Sequence, residues 1–167
     1  MSEQNTTSST PQELIDSFIR VTEKIDSLDY ADISQFWIDR HNENGSMRTA
    51  PVIILDTDHL EQLGAHGRCA EKDPVIMIHP RVLQWAPIGI DSLLAHELAH
   101  ILHFARGQVK PNTDDEEEQA KATMLRWGYE NEMVTICNEQ AKNFPNESLE
   151  EVRERIRLYR LQFPEHE

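Results

Sequence analysis

The residues best placed to do chemistry are His96, Glu97 and His100, in the run His96-Glu97-Leu98-Ala99-His100. On a helix, side chains four apart differ by about 40° around the axis and one turn along it, so both imidazoles point the same way and can bind one ion. Glu97 is rotated by about 100° from His96, so it stays off the ion but reaches a water bound there as general base. The flanking Leu93, Leu94, Ile101 and Leu102 bury the outer face of such a helix, while Leu98 and Ala99 keep further charge away. With 8 His in 167 residues, composition alone yields about 0.04 such patterns per chain, so chance is a minor explanation. The alternative of an ordinary surface helix sets an unpaired Glu beside an apolar face, which is costly. The expected cofactor is one Zn2+ per chain.

A catalytic zinc takes three protein ligands and leaves one position open. His103 lies seven residues after His96, nearly two turns on and too far to join the same ion without a bend, so it reads as a rim residue. A third His ten residues after the first is absent, because that position is Arg106. The acidic run from Asp114 to Glu118 is the better source of a third ligand. The segment from Gly107 to Thr113 can reverse the chain, so that a second helix runs back beside the first with its opening turn facing the metal. Glu117 is in phase with Ala120, Met124 and Trp127, and Glu118 with Ala122, Leu125 and Tyr129; periodicity leaves both open. The other acids of the run suit the positive end of the helix dipole.

These residues need elements to hold them. Thr10-Pro11-Gln12-Glu13 reads as a capping box that opens a helix carrying Leu14, Phe18, Val21, Ile25 and Leu28 on one stripe. The apolar segment Ile33-Phe36-Trp37-Ile38 is of ambiguous type and ends in the polar turn Asn42-Glu43-Asn44-Gly45. Residues 51–56 and 74–79 are short, β-branched and bounded by Pro, which predicts two strands. The connection holding Gly64, His66 and Gly67 reads as flexible. The histidine-bearing helix is expected over Asp91 to Arg106, capped at Asp91 or Ser92 and stopped by Gly107. A helix from Asp114 breaks near Gly128, and a last one begins at the capping box Ser148-Leu149-Glu150-Glu151. Order is expected from residue 10, after a polar, frayed residues 1–9, in one domain over 10–167 with its core at 51–130 and C-terminal helices at 131–163.

Taken together, these segments resemble the glutamate zincins, in particular the ImmA/IrrE-type and minimal gluzincin metallopeptidase-like domains. The resemblance is carried by Val75-Ile76-Met77-Ile78-His79, by Leu93-Leu94-Ala95-His96-Glu97-Leu98-Ala99-His100, and by Glu117-Glu118-Gln119-Ala120, which looks like their ExxA ligand motif. It covers about residues 51–130. It implies an α+β, zincin-like fold: a small sheet, an N-terminal helix, the HExxH active-site helix and a helical C-terminal half. It also implies Glu117 as third metal ligand beside His96 and His100, catalysis through Glu97, and an edge strand at Val75 to His79 that pairs with an extended peptide. His79 would end that strand near the cleft, and Tyr129 or His103 are candidates to donate to an oxyanion. Where relatives often carry Asn or Asp after the Ala of ExxA, this chain has Lys121.

Composition narrows the partners. A formal net charge of −14 repels phosphate backbones and anionic lipid, so neither nucleic acid nor a membrane is an expected partner. The start MSEQNTTSST lacks an export signal, and two cysteines make no disulfide framework, so a cytoplasmic setting is expected. The function expected is a zinc-dependent peptidase acting on a peptide or protein substrate, with oligomeric state left open. The rivals are a zincin-fold module acting by contact, for which the negative charge suits a basic partner, and a zinc hydrolase of another amide or ester.

Overall fold

A computed structural model describes residues 10–43, 45, 52–63, 67–69, 75–84, 87–108 and 114–129. The expected C-terminal helices at 131–163 and Cys137 lie outside these residues, as does the start at 1–9 expected to be frayed. The described fold is α+β: α1 (Gln12–Lys24), α2 (Ser27–Glu43), β1 (Val52–Leu55), α3 (Asp58–Leu63), β2 (Gly67–Cys69), β3 (Val75–Ile78), a short 3-10 helix (Pro80–Gln84), α4 (Pro87–Ala105) and α5 (Asp114–Arg126).

The three strands form one sheet in the order β1-β3-β2. β3 runs parallel to β1, with Val52 opposite Val75 and Leu55 opposite Ile78, and antiparallel to β2, with Gly67 opposite Ile78 and Cys69 opposite Ile76. The predicted strands at 51–56 and 74–79 are therefore present as β1 and β3, but β3 is the central strand and not an edge. The edges are β1 and β2, the latter in the segment expected to be a flexible connection.

α4 forms the centre of the molecule. Every residue from Ser92 to His103 is buried, as expected of a helix whose apolar residues occupy all its faces. It packs against α1, α2, α5 and β2. It also starts earlier than expected, because Pro87 suits the first helical turn. Asp91 consequently sits inside the helix, and its carboxylate accepts hydrogen bonds from Ser17 (2.5 Å) and from Arg20 Nη2 (2.8 Å) on α1. Gly107, at φ 64°, ends the helix in the left-handed conformation glycine tolerates.

The N-terminal capping box does not form. Pro11 is the cap residue of α1 and no side chain caps it. The Thr10 hydroxyl instead donates to the carbonyl of Ile53 on β1, 3.0 Å away, tying the helix start to the sheet. The single stripe expected through Leu28 is also split. Ile25 is extended, Asp26 accepts from the amide of Asp29 (2.9 Å) to open α2, and Leu28 is solvent-facing. The ambiguous segment around Trp37 is the body of α2.

Asp29 joins the helices that hold the site. Its buried carboxylate accepts from Arg106 at the end of α4 (2.7 Å), from Arg126 at the end of α5 (2.5 Å) and from the indole N–H of Trp127 (2.8 Å). Burial alone would raise its pKa; the donors of Trp127, Arg126 and Arg106 outweigh that and hold it at about 2, below the usual 3.8.

Candidate metal centre

α4 and α5 meet along a seam whose contacts advance in the same direction on both helices. Glu117 meets His96 and His100, Thr123 meets His103, and Arg126 shares Asp29 with Arg106. The second helix thus runs with the first rather than back along it, which corrects the expected reversal. The segment between Gln108 and Asp114 can reach about 20 Å when extended, enough to return the chain beside the histidines before α5 begins.

At the N-terminal end of this seam, three side chains converge. The Nε2 atoms of His96 and His100 are 3.0 Å apart, and their rings meet edge to face. Glu117 spans both, with Oε2 3.2 Å from His96 Nε2 and Oε1 3.4 Å from His100 Nε2. One donor atom from each of the three lies within 4.8 Å of the others, so the group can hold a metal ion. Glu118, the other acid left open by periodicity, is exposed, whereas Ala120, Met124 and Trp127 on the stripe of Glu117 are buried.

The donors suit a cation of the zinc type: two imidazoles and a carboxylate from one helix pair, largely shielded from water. The Nδ1 atoms of His96 and His100 are both buried without a hydrogen-bond partner among the described residues, while their Nε2 atoms face each other and Glu117. Burial lowers the His100 pKa, but the carboxylates of Glu116 and Glu117, 3.2 and 3.4 Å from its ring nitrogens, outweigh it and push the imidazolium above its ordinary range. Burial raises the Glu117 pKa, but His100 and His96 beside it outweigh that and hold it well below the carboxylate range.

Glu97 is buried beside this group. Gly67 at the start of β2 leaves room for it: a Cβ there would lie 3.4 Å from Glu97 Oε1, 3.4 Å from Leu93 Cδ1 and 3.2 Å from Ile78 Cδ1. Two residues on, the Cys69 thiol donates to the Glu97 carbonyl at 3.5 Å, and burial followed by the nearby Glu97 charge pushes the thiol well above its ordinary pKa. β2 thus forms a wall over the second residue of the motif. Nothing in residue spacing pointed to Gly67 or Cys69 in this role, since their approach to α4 depends on sheet pairing.

Other candidates are placed elsewhere. His103 is buried between the two helices, its Nε2 2.9 Å from the Thr123 hydroxyl, with burial lowering its pKa. Tyr129 follows α5 at the end opposite Glu117, with Lys24 above its ring, and is thus remote from the three ligands. His79 is a junction of the fold: Nε2 donates to Glu61 (3.2 Å) and Nδ1 accepts from the Arg81 amide (3.1 Å). Glu116, one of the other acids of the run, meets the far side of His100, with Oε1 3.2 Å from Nδ1.

No protein-family description, curated protein or solved structure matches this chain. No helix among the described residues is long and apolar enough to cross a membrane.

Proposed function

We propose that the protein is a zinc-dependent metallopeptidase of the glutamate-zincin kind, acting on peptide or protein substrates in the cytoplasm. The observation that carries this reading is the convergence of His96, His100 and Glu117 with Glu97 buried alongside them. The three ligands would hold the ion, which supplies a Lewis acid for the scissile carbonyl and for water. Glu97, turned off the ligand face, takes a proton from the attacking water and returns it to the amine as the C–N bond breaks. Peptide is favoured over another amide by β2, which among the described residues pairs on one side only and lies against the helix that carries Glu97. An extended substrate added to that edge would bring its backbone to the site.

The test is zinc content by elemental mass spectrometry together with peptide-library turnover, on the parent, Glu117→Ala and Glu97→Gln. One zinc per chain is expected in the parent and in Glu97→Gln, and much less in Glu117→Ala. Turnover is expected in the parent alone. Cleavage by Glu97→Gln at the parental rate would overturn the mechanism. Full zinc with no cleavage by the parent would leave a module that acts by contact.

A further inference from the structure

His100 differs from His96 in what stands behind it. A metal-binding imidazole has one nitrogen for the ion and one that must be satisfied elsewhere, and the second partner decides which nitrogen keeps its proton and how the ring is turned. The Nδ1 atoms of His96 and His100 are both buried, and neither makes an aligned hydrogen bond among the described residues. The difference is that a carboxylate oxygen, Oε1 of Glu116, lies 3.2 Å from Nδ1 of His100. Glu116 and Glu117 are consecutive residues in the first turn of α5, yet they address opposite nitrogens of one ring.

We propose that Glu116 is the positioning residue of the centre. From 3.2 Å, a small turn of its carboxylate lets it accept a hydrogen bond from His100 Nδ1–H, which fixes the tautomer that leaves the Nε2 lone pair for a cation held with Glu117 and His96. The carboxylate also makes that nitrogen a stronger donor to a cation. The side chain of Glu116 is well shielded, 13% exposed, so water competes poorly for its oxygens. Glu118 on the same turn is exposed. A general effect of acid at a helix start would treat the two alike; the orienting role belongs to Glu116 alone.

This inference rests on the zinc reading above, and its test separates the two. Zinc affinity is measured on the full chain by competition with a chromophoric chelator for the parent, Glu116→Ala, Glu116→Gln and Glu118→Ala. In parallel, 15N-detected NMR of the zinc-loaded proteins reads the His100 Nδ1 proton. Removal of an outer hydrogen-bond partner of this kind weakens metal binding by about 10- to 100-fold, and that loss is expected for Glu116→Ala. It should be accompanied by loss of the protected Nδ1 proton. Glu116→Gln retains an accepting oxygen and is expected to recover the proton signal and part of the affinity. Glu118→Ala is expected to match the parent. If Glu116→Ala binds zinc as tightly as Glu118→Ala with the His100 proton still protected, the Glu116 role is overturned while the metal centre stands. A parent that takes up no zinc overturns the metal centre itself, and the Glu116 role with it.

Discussion

Replacing Asp29 by Asn tests whether one buried carboxylate sets the arrangement of α2, α4 and α5. The folded pKa of about 2 against 3.8 for an unperturbed group corresponds to about 2 kcal/mol of stability at neutral pH. Asn also turns an N–H group toward donors that lose their acceptor, which brings the expected loss to about 2–4 kcal/mol. For a chain of this length that is a fall in melting temperature of about 5–15 °C. The sign with pH follows from the depressed value. The contribution is complete above the unfolded pKa and is lost as pH falls through the folded one, so the gap between parent and variant should be full at pH 7 and narrow between about pH 4 and pH 2. Urea unfolding of both proteins across that range measures it. A variant as stable as the parent at pH 7, or a gap unchanged at pH 2, would refute the argument that charge at Asp29 holds the helices together.

Two further outcomes follow from the centre itself. Because the metal-free His100 is held as imidazolium, zinc uptake at pH 7 should release about one proton per ion; calorimetric titrations in buffers of different ionisation enthalpy measure it, and no release would contradict the ion pair with Glu116 and Glu117. Gly67→Val places branched carbon where a Cβ alone is already 3.4 Å from Glu97 Oε1, so turnover should fall by about tenfold or more through displacement of Glu97. Its zinc content should stay at the parental level, measured on the same samples; zinc lost in step with turnover would place Gly67 in the support of the ligands instead.

The local part of this centre was legible in the sequence because it depends on helix geometry. His96, Glu97 and His100 are fixed relative to one another by a single turn, and the burial of Ala120, Met124 and Trp127 follows from the stripe that includes Glu117. Where β-branched runs were continuous, β1 and β3 were equally readable. The parts that were not legible depend on contacts far apart in the chain. β2 has only Gly67, Arg68 and Cys69, too short for an alternating pattern, and it exists through pairing with β3. The direction of α5 depends on how far a connecting segment carries the chain, which composition does not encode. Thr10 and Asp91 had the right chemistry for helix caps, but Ile53 in one case and Ser17 and Arg20 in the other took their hydrogen bonds. The roles of Glu116 and Glu118 diverge over a single turn, a distinction that requires the neighbouring helix.

The co-directional seam has a mechanical consequence. Asp29 grips the far end of α5 while Glu117 works at the near end, ten residues or about 15 Å away. A rotation of α5 by about 4° about that anchor would move the Glu117 carboxylate by about 1 Å, comparable to the difference between a good and a poor coordination geometry. The helix is thus a lever whose fulcrum is a buried carboxylate on α2. Substitutions near Asp29, touching neither metal nor substrate, would be read out as altered zinc affinity before the fold itself gave way.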